Sequence, residues 1–145
     1  MTRRLGRLLL AGLLAIGLAA GAVAQSNLNP DLGPDWKLPN GELRWPPNDG
    51  CADPALRVTL PPGTEIDRFG SEFGRFFATP GVSWEARALP YVQSAMPYAV
   101  YVVRTPLEAE RCTIAAWFGA PGGGTQFKTA DNVQALLASG VLSRK

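Results

Sequence analysis

Residues 113–127 read TIAAWFGAPGGGTQF. The first six are apolar and strand-compatible. They run into Gly119, Pro121 and three successive glycines, Gly122 to Gly124, where the backbone can turn left-handed or approach another group with no Cβ in the way. Gln126 then stands at the lip of a second short run, TQFK. A strand over Thr113 to Phe118, a glycine turn and a strand over Thr125 to Lys128 carrying one polar amide would form a wall of a small-molecule site. The plainer alternative is a loose hairpin with no site, because glycine clusters usually mark turns.

Toward the C-terminus, one helix is expected. Asp131 suits its N-cap, Val133, Leu136 and Leu137 give one apolar stripe, and Gly140 fits the position just past its end. Toward the N-terminus, frequent punctuation and short intervals predict strands at Arg57 to Leu60, Glu65 to Phe69, Arg75 to Ala78 and Tyr98 to Arg104. In YAVYVVR, residues 98–104, both alternating faces are apolar, which predicts a central strand. Pro61-Pro62-Gly63 is a turn, Pro80-Gly81 and Pro90 interrupt the middle of the chain, and a helical turn fits Trp84 to Leu89. These elements define an α+β class: a β-rich single domain with one C-terminal helix and an irregular N-terminal appendage.

The first 24 residues have the parts of a secretory signal: Arg3, Arg4 and Arg7, an apolar run from Leu8, and Ala22-Val23-Ala24 as a cleavage site. The run is too short and too rich in Gly and Ala for a membrane anchor. Removing residues 1–24 leaves 121 of the 145, with 11 basic against 12 acidic side chains. The basic excess therefore belongs to the signal, and neither nucleic acid nor membrane is expected as a partner afterwards. The expected location is secreted or periplasmic. Residues 25–43, rich in Pro, Asn, Asp and Gly, read as a flexible lead-in, and residues 44–145 as the folded domain, with Trp45 pinning the junction.

Cys51 and Cys112 are the only cysteines, and in an exported chain a disulfide is the natural reading. It would close a loop of roughly 60 residues. The chain has no histidine. That removes Ser-His-Asp and Cys-His catalysis in their usual forms and the ordinary zinc sites, so no metal is expected. Gly119 and Gly124 have P-loop spacing, but Thr125 and Gln126 come next, where Lys and Ser/Thr would grip phosphate. The polar residues left beside turns are Arg68, Arg87 and Gln126. The guanidinium fork suits a phosphate or pyrophosphate. The alternative is that each arginine is a surface residue or is paired, with Asp67 beside Arg68 and Glu85 near Arg87 as partners.

Taken together, RWPPNDG, LPPGTEIDRFGSEFGRF, RALPY, AWFGAPGGGTQF and a helix ending ASGVLS, in that order over residues 44–143, resemble the tuberculosis necrotizing toxin (TNT) domain family of NAD+ glycohydrolases. The resemblance implies a compact β-rich TNT-like domain that hydrolyses NAD+, and NADP+ as well, to nicotinamide and the ADP-ribose product. NAD+ is then the substrate and no cofactor is implied. A cognate immunity protein is the partner that a toxin of this family would need. Carried over, Arg68 and Arg87 belong to the substrate cleft and Gln126 is the residue on which activity depends. Phe76 stands where an aromatic, commonly Tyr, is expected, and Gly123 and Gly124 belong to the substrate-binding segment. Some members place a histidine in the cleft; here Tyr98 or Tyr101 could stand in its place. Two rival functions share the reading: an ADP-ribosyltransferase using NAD+, and an inactive binding protein on the same fold.

Overall fold

The computed structural model describes residues 27–145; the expected signal, residues 1–24, lies outside the described residues. Short segments with alternating burial form seven strands: β1 Leu56–Leu60, β2 Glu65–Phe69, β3 Phe76–Ala78, β4 Tyr98–Val103, β5 Leu107–Thr113, β6 Thr125–Lys128 and β7 Leu142–Arg144. They pair in the order β1-β5-β6-β3-β2-β4-β7. Every pairing is antiparallel.

Successive side chains on a strand point to opposite faces. One face carries Ile66, Phe77, Tyr101, Val103 and Phe127, which form the core with Val133 and Leu136 of α1, Val133–Ala138, the one α-helix among the described residues. The helix is capped by Asn132, whose side-chain oxygen accepts from the Ala135 amide at 2.8 Å, one residue later than expected. Its first free amides are satisfied by the β2–β3 turn, Val133 N donating to Gly74 O and Gln134 N to Glu72 O. Gly140 has φ +76°, as a residue ending a helix often does.

The opposite face of the sheet presents Asp67, Ala78, Gln126 and Cys112 in one row across β2, β3, β6 and β5, and Phe76, Lys128 and Glu110 in the next. Irregular chain covers this face. The segment from Asn27, expected to be flexible, packs against the domain instead. Leu28 bridges to Tyr91, Leu32 is buried, and Asn29 N donates to Pro90 O at 2.8 Å. Trp36 lies 5.4 Å from the Trp117 ring and 5.9 Å from Phe118, and the Trp117 indole N–H donates to Arg44 O at 2.7 Å. The polar composition of the lead-in hides these few apolar anchors, which dock onto aromatics distant in sequence.

Three strand expectations need correction. Thr113 to Phe118 is not a strand beyond its first residue: the ladder runs over Leu107–Thr113, and beyond it lie only isolated bridges, from Ile114 to Cys51 and from Trp117 to Ala120. β5, apart from Thr113, and β7 escaped the sequence reading. The strand over residues 98–103 is flanked by β2 and β7, one position in from the sheet edge, with Tyr101 and Val103 buried and Tyr98 exposed. The helical turn near Trp84 is a single 3-10 turn, Glu85–Arg87.

Candidate active site

A cleft of about 760 Å³ opens on the sheet face away from α1. Its lining brings together Arg68, Phe76, Arg87 and Gln126 from the sequence-predicted set, and adds Trp45, Tyr91 and Phe118. Gly123 and Gly124 do not line it.

Arg68 leaves β2 on the core side and reaches across the following turn. Its Nε donates to Ser71 O and its Nη1 to Phe76 O, both at 2.8 Å. Gly70 and Gly74 make this possible: a Cβ at Gly70 would meet Nη2 at 3.0 Å, and one at Gly74 would collide with the guanidinium. Burial lowers the Arg68 pKa, partly offset by Tyr101 and Tyr91. An arginine remains cationic under such a shift. Nη2, packed over Gly70 and Gly74, is the one guanidinium nitrogen with no hydrogen-bond partner among the described residues, and it is the donor left for an anion.

Arg87 is placed differently. It is buried, with Nη1 and Nη2 each donating to one Asp67 oxygen at 2.7 Å and Nε donating to Val82 O at 3.0 Å. Its guanidinium carbon lies 4.9 Å from the Phe69 ring centre, and the Tyr98 hydroxyl donates to Asp67 Oδ2 at 2.9 Å. Asp67, adjacent to Arg68 in sequence, thus serves Arg87, because strand alternation turns Asp67 and Arg68 to opposite faces. Glu85 makes no ion pair with Arg87; the 3-10 turn carries its side chain to solvent. The charge of Arg87 is largely met within the protein, so Arg68 is the more available contact for an anion.

Gln126 donates from Nε2 to Asp49 O at 3.0 Å, and the two disulfide sulfurs of Cys51–Cys112 lie 3.9 and 3.7 Å from the same nitrogen. Two residues on, Lys128 Nζ bonds Asp49 Oδ2 at 2.7 Å and sits 5.9 Å from the Phe76 ring centre. The far wall is aromatic. Trp45 meets Phe118 edge to face at 5.5 Å and lies 6.5 Å from Tyr91.

The glycine run joins backbones. Gly122 N and Gly124 N donate to Glu85 O and Ala86 O, and Gly123 N donates to Ile114 O. A Cβ on Gly124 would come within 2.6 Å of Val82 Cγ1 and 2.9 Å of Ala86 O. The run therefore seats the turn that carries Arg87. Neither tyrosine expected to replace a histidine lines the cleft: Tyr101 is a core residue and Tyr98 faces Asp67 from outside. Tyr91 does line it, and burial raises its pKa. Its place at the end of RALPY was the available signal. Among the described residues no three His, Cys, Asp or Glu side chains come together.

Residues 59–145 match the family described as tuberculosis necrotizing toxin, TNT, and the chain belongs to that family. It is 40% identical over 119 residues to the conidial surface nicotinamide adenine dinucleotide glycohydrolase nadA of Aspergillus fumigatus, an alignment covering 73% of this chain and 51% of that protein. The chain thus spans about half the length of that relative. Its fold is similar to that of tuberculosis necrotizing toxin, solved in complex with its immunity factor IFT, with a TM-score of 0.60 at 27% identity over 74% of this chain and 65% of that one.

Proposed function

We propose that this protein is an exported NAD+ glycohydrolase that cleaves the nicotinamide–ribose bond to give nicotinamide and ADP-ribose, and that accepts NADP+ as well. The observation that carries the reading is the cleft itself, whose lining includes Arg68, Phe76 and Gln126 in a TNT-family chain. The leaving group of NAD+ is already a pyridinium. It departs neutral and needs no general acid, so neither histidine nor a carboxylate pair is required for that step, although the transition state is still oxocarbenium-like. Water then adds its oxygen to C1′ and releases a proton.

Positioning and electrostatics are left for the protein to supply. Arg68 binds the pyrophosphate, Phe76 packs on the nicotinamide ring, and Gln126 orients the ribose or the attacking water. Arg87, braced by Asp67, shapes the wall beside them. Both the family and the solved TNT complex support a protein inhibitor as a natural partner, an immunity protein in a producing cell. The Cys51–Cys112 disulfide supports a life outside a reducing cytosol.

Incubating the purified oxidised protein with NAD+ or NADP+ and separating the products by chromatography tests this. Loss of dinucleotide with matching gain of nicotinamide is expected. Arg68→Ala should lower kcat/KM by about 2–3 kcal/mol, the scale of a charge-assisted phosphate contact. Intact dinucleotide after prolonged incubation with folded protein would reject the proposal.

A further inference from the structure

Three successive residues beside the cleft are left-handed: Asn48 at φ +54°, Asp49 at +55° and Gly50 at +82°. Residues with a Cβ avoid this region, Asn and Asp least so. The turn is closed by Gly50 N to Pro47 O and Cys51 N to Asn48 O, both 3.0 Å. It is fastened to the next segment by Ala115 N to Gly50 O at 2.8 Å and by the Cys51–Ile114 bridge, and to β5 by the disulfide. Its product is the direction of one residue. The Asp49 carbonyl meets Gln126 Nε2 and the Asp49 carboxylate meets Lys128, two side chains on the same face of β6.

We propose that this stapled turn, acting through the Asp49 carbonyl, is a positioning element that locks the Gln126 amide with its nitrogen turned inward and its oxygen presented to the cleft, so that Gln126 serves the reaction as a hydrogen-bond acceptor. The three groups that meet the nitrogen, a carbonyl oxygen and two disulfide sulfurs, can accept and cannot donate. Turning the amide over would set Oε1 against all three. Oε1 points away from those three acceptors in this structure, near Gly50, where a Cβ would stand 3.8 Å from it; Asp49, Gly50 and Gln126 all line the cleft. A neutral acceptor so held can draw a ribose hydroxyl or a water into line without adding charge beside a pyrophosphate. The role in hydrolysis rests on the glycohydrolase reading; the locking does not. The turn precedes residue 59, where the family model's match begins, and belongs to the RWPPNDG segment at residues 44–50.

The test uses the full oxidised protein, nitrogen-15 labelled, with the Gln126 side-chain amide assigned by its disappearance in Gln126→Ala. Its two protons should resonate away from the free-amide position and exchange slowly. Reduction by a phosphine, which gives two thiols, should return them to that position. So should Gly50→Ala, which leaves the disulfide intact but adds a Cβ at φ +82°. In both states kcat for NAD+ should fall about tenfold or more with KM within about twofold. Gln126→Ala should cost about a hundredfold in the oxidised parent but less than about threefold on top of either perturbation, since coupled groups are not additive. A free-amide signal in the oxidised, folded protein, or full additivity with Gln126→Ala, would overturn the proposal. A locked amide in a protein that leaves NAD+ untouched would sink the glycohydrolase reading and leave the positioning claim standing.

Discussion

Arg87 and Asp67 show how much one buried pair carries. The pair is bidentate, nearly solvent-free, and closed by Tyr98 and Phe69, so removing one partner strands a charge. Such losses cost about 3–5 kcal/mol. Asp67→Ala should therefore lower the unfolding free energy by that amount in urea titration, and a loss under about 1 kcal/mol would contradict the pairing. The same cluster sets an alkaline limit. Desolvation where its hydroxyl meets the buried pair, then the hydrogen bond to Asp67, raises the pKa of the otherwise exposed Tyr98, and burial also raises Tyr91 and Tyr101. A phenol raised in the folded state keeps its proton where the unfolded chain has lost it. Its contribution is thus complete below about pH 10 and is lost as pH rises through the raised value. Stability should fall above about pH 10, and less steeply in Tyr98→Phe; an unchanged slope would remove Tyr98 from this account.

Among the elements, the glycine run does a job its composition conceals. Gly124 leaves room for Val82 and the Ala86 carbonyl, so Gly124→Ala should destabilise by about 1–3 kcal/mol through overpacking and displace the turn that carries Arg87. Wild-type stability in that variant would show the contact to be slack. The sequence made several elements legible: β2 and β6 fall where their alternation and flanking turns put them, and α1 where its stripe and terminal glycine do. It misled where apolarity has another cause. Ile114, Ala115, Trp117 and Phe118 are apolar because they form part of the cleft wall, whereas the true strand β5, LEAERCT, turns Glu108 and Glu110 outward and looks polar. β7 is three residues long, and its pairing to β4 is visible only once α1 returns the chain to the sheet. Arg68, Phe76, Arg87 and Gln126 could be found as motif members. No motif contains which carboxylate serves which arginine, because that depends on strand alternation and on a turn 20 positions away in the chain.

Across the whole molecule, a sheet with a core on one face leaves its other face free, and irregular chain from both sides turns that face into a cleft. The N-terminal segment is part of that wall through Trp45 and Asp49, and Cys51–Cys112 fixes it to β5 across 61 positions, worth about 4 kcal/mol on a chain-entropy model. The segment lies ahead of the family-matched residues, yet the cleft is incomplete without it. In the proposed reaction this cleft hydrolyses a dinucleotide with no acceptor other than water. Following NAD+ by proton NMR in the presence of the oxidised protein alone measures it most directly: free nicotinamide and free ADP-ribose should appear in equal amounts until the dinucleotide is consumed. An unchanged spectrum, or nicotinamide released without free ADP-ribose, would contradict it.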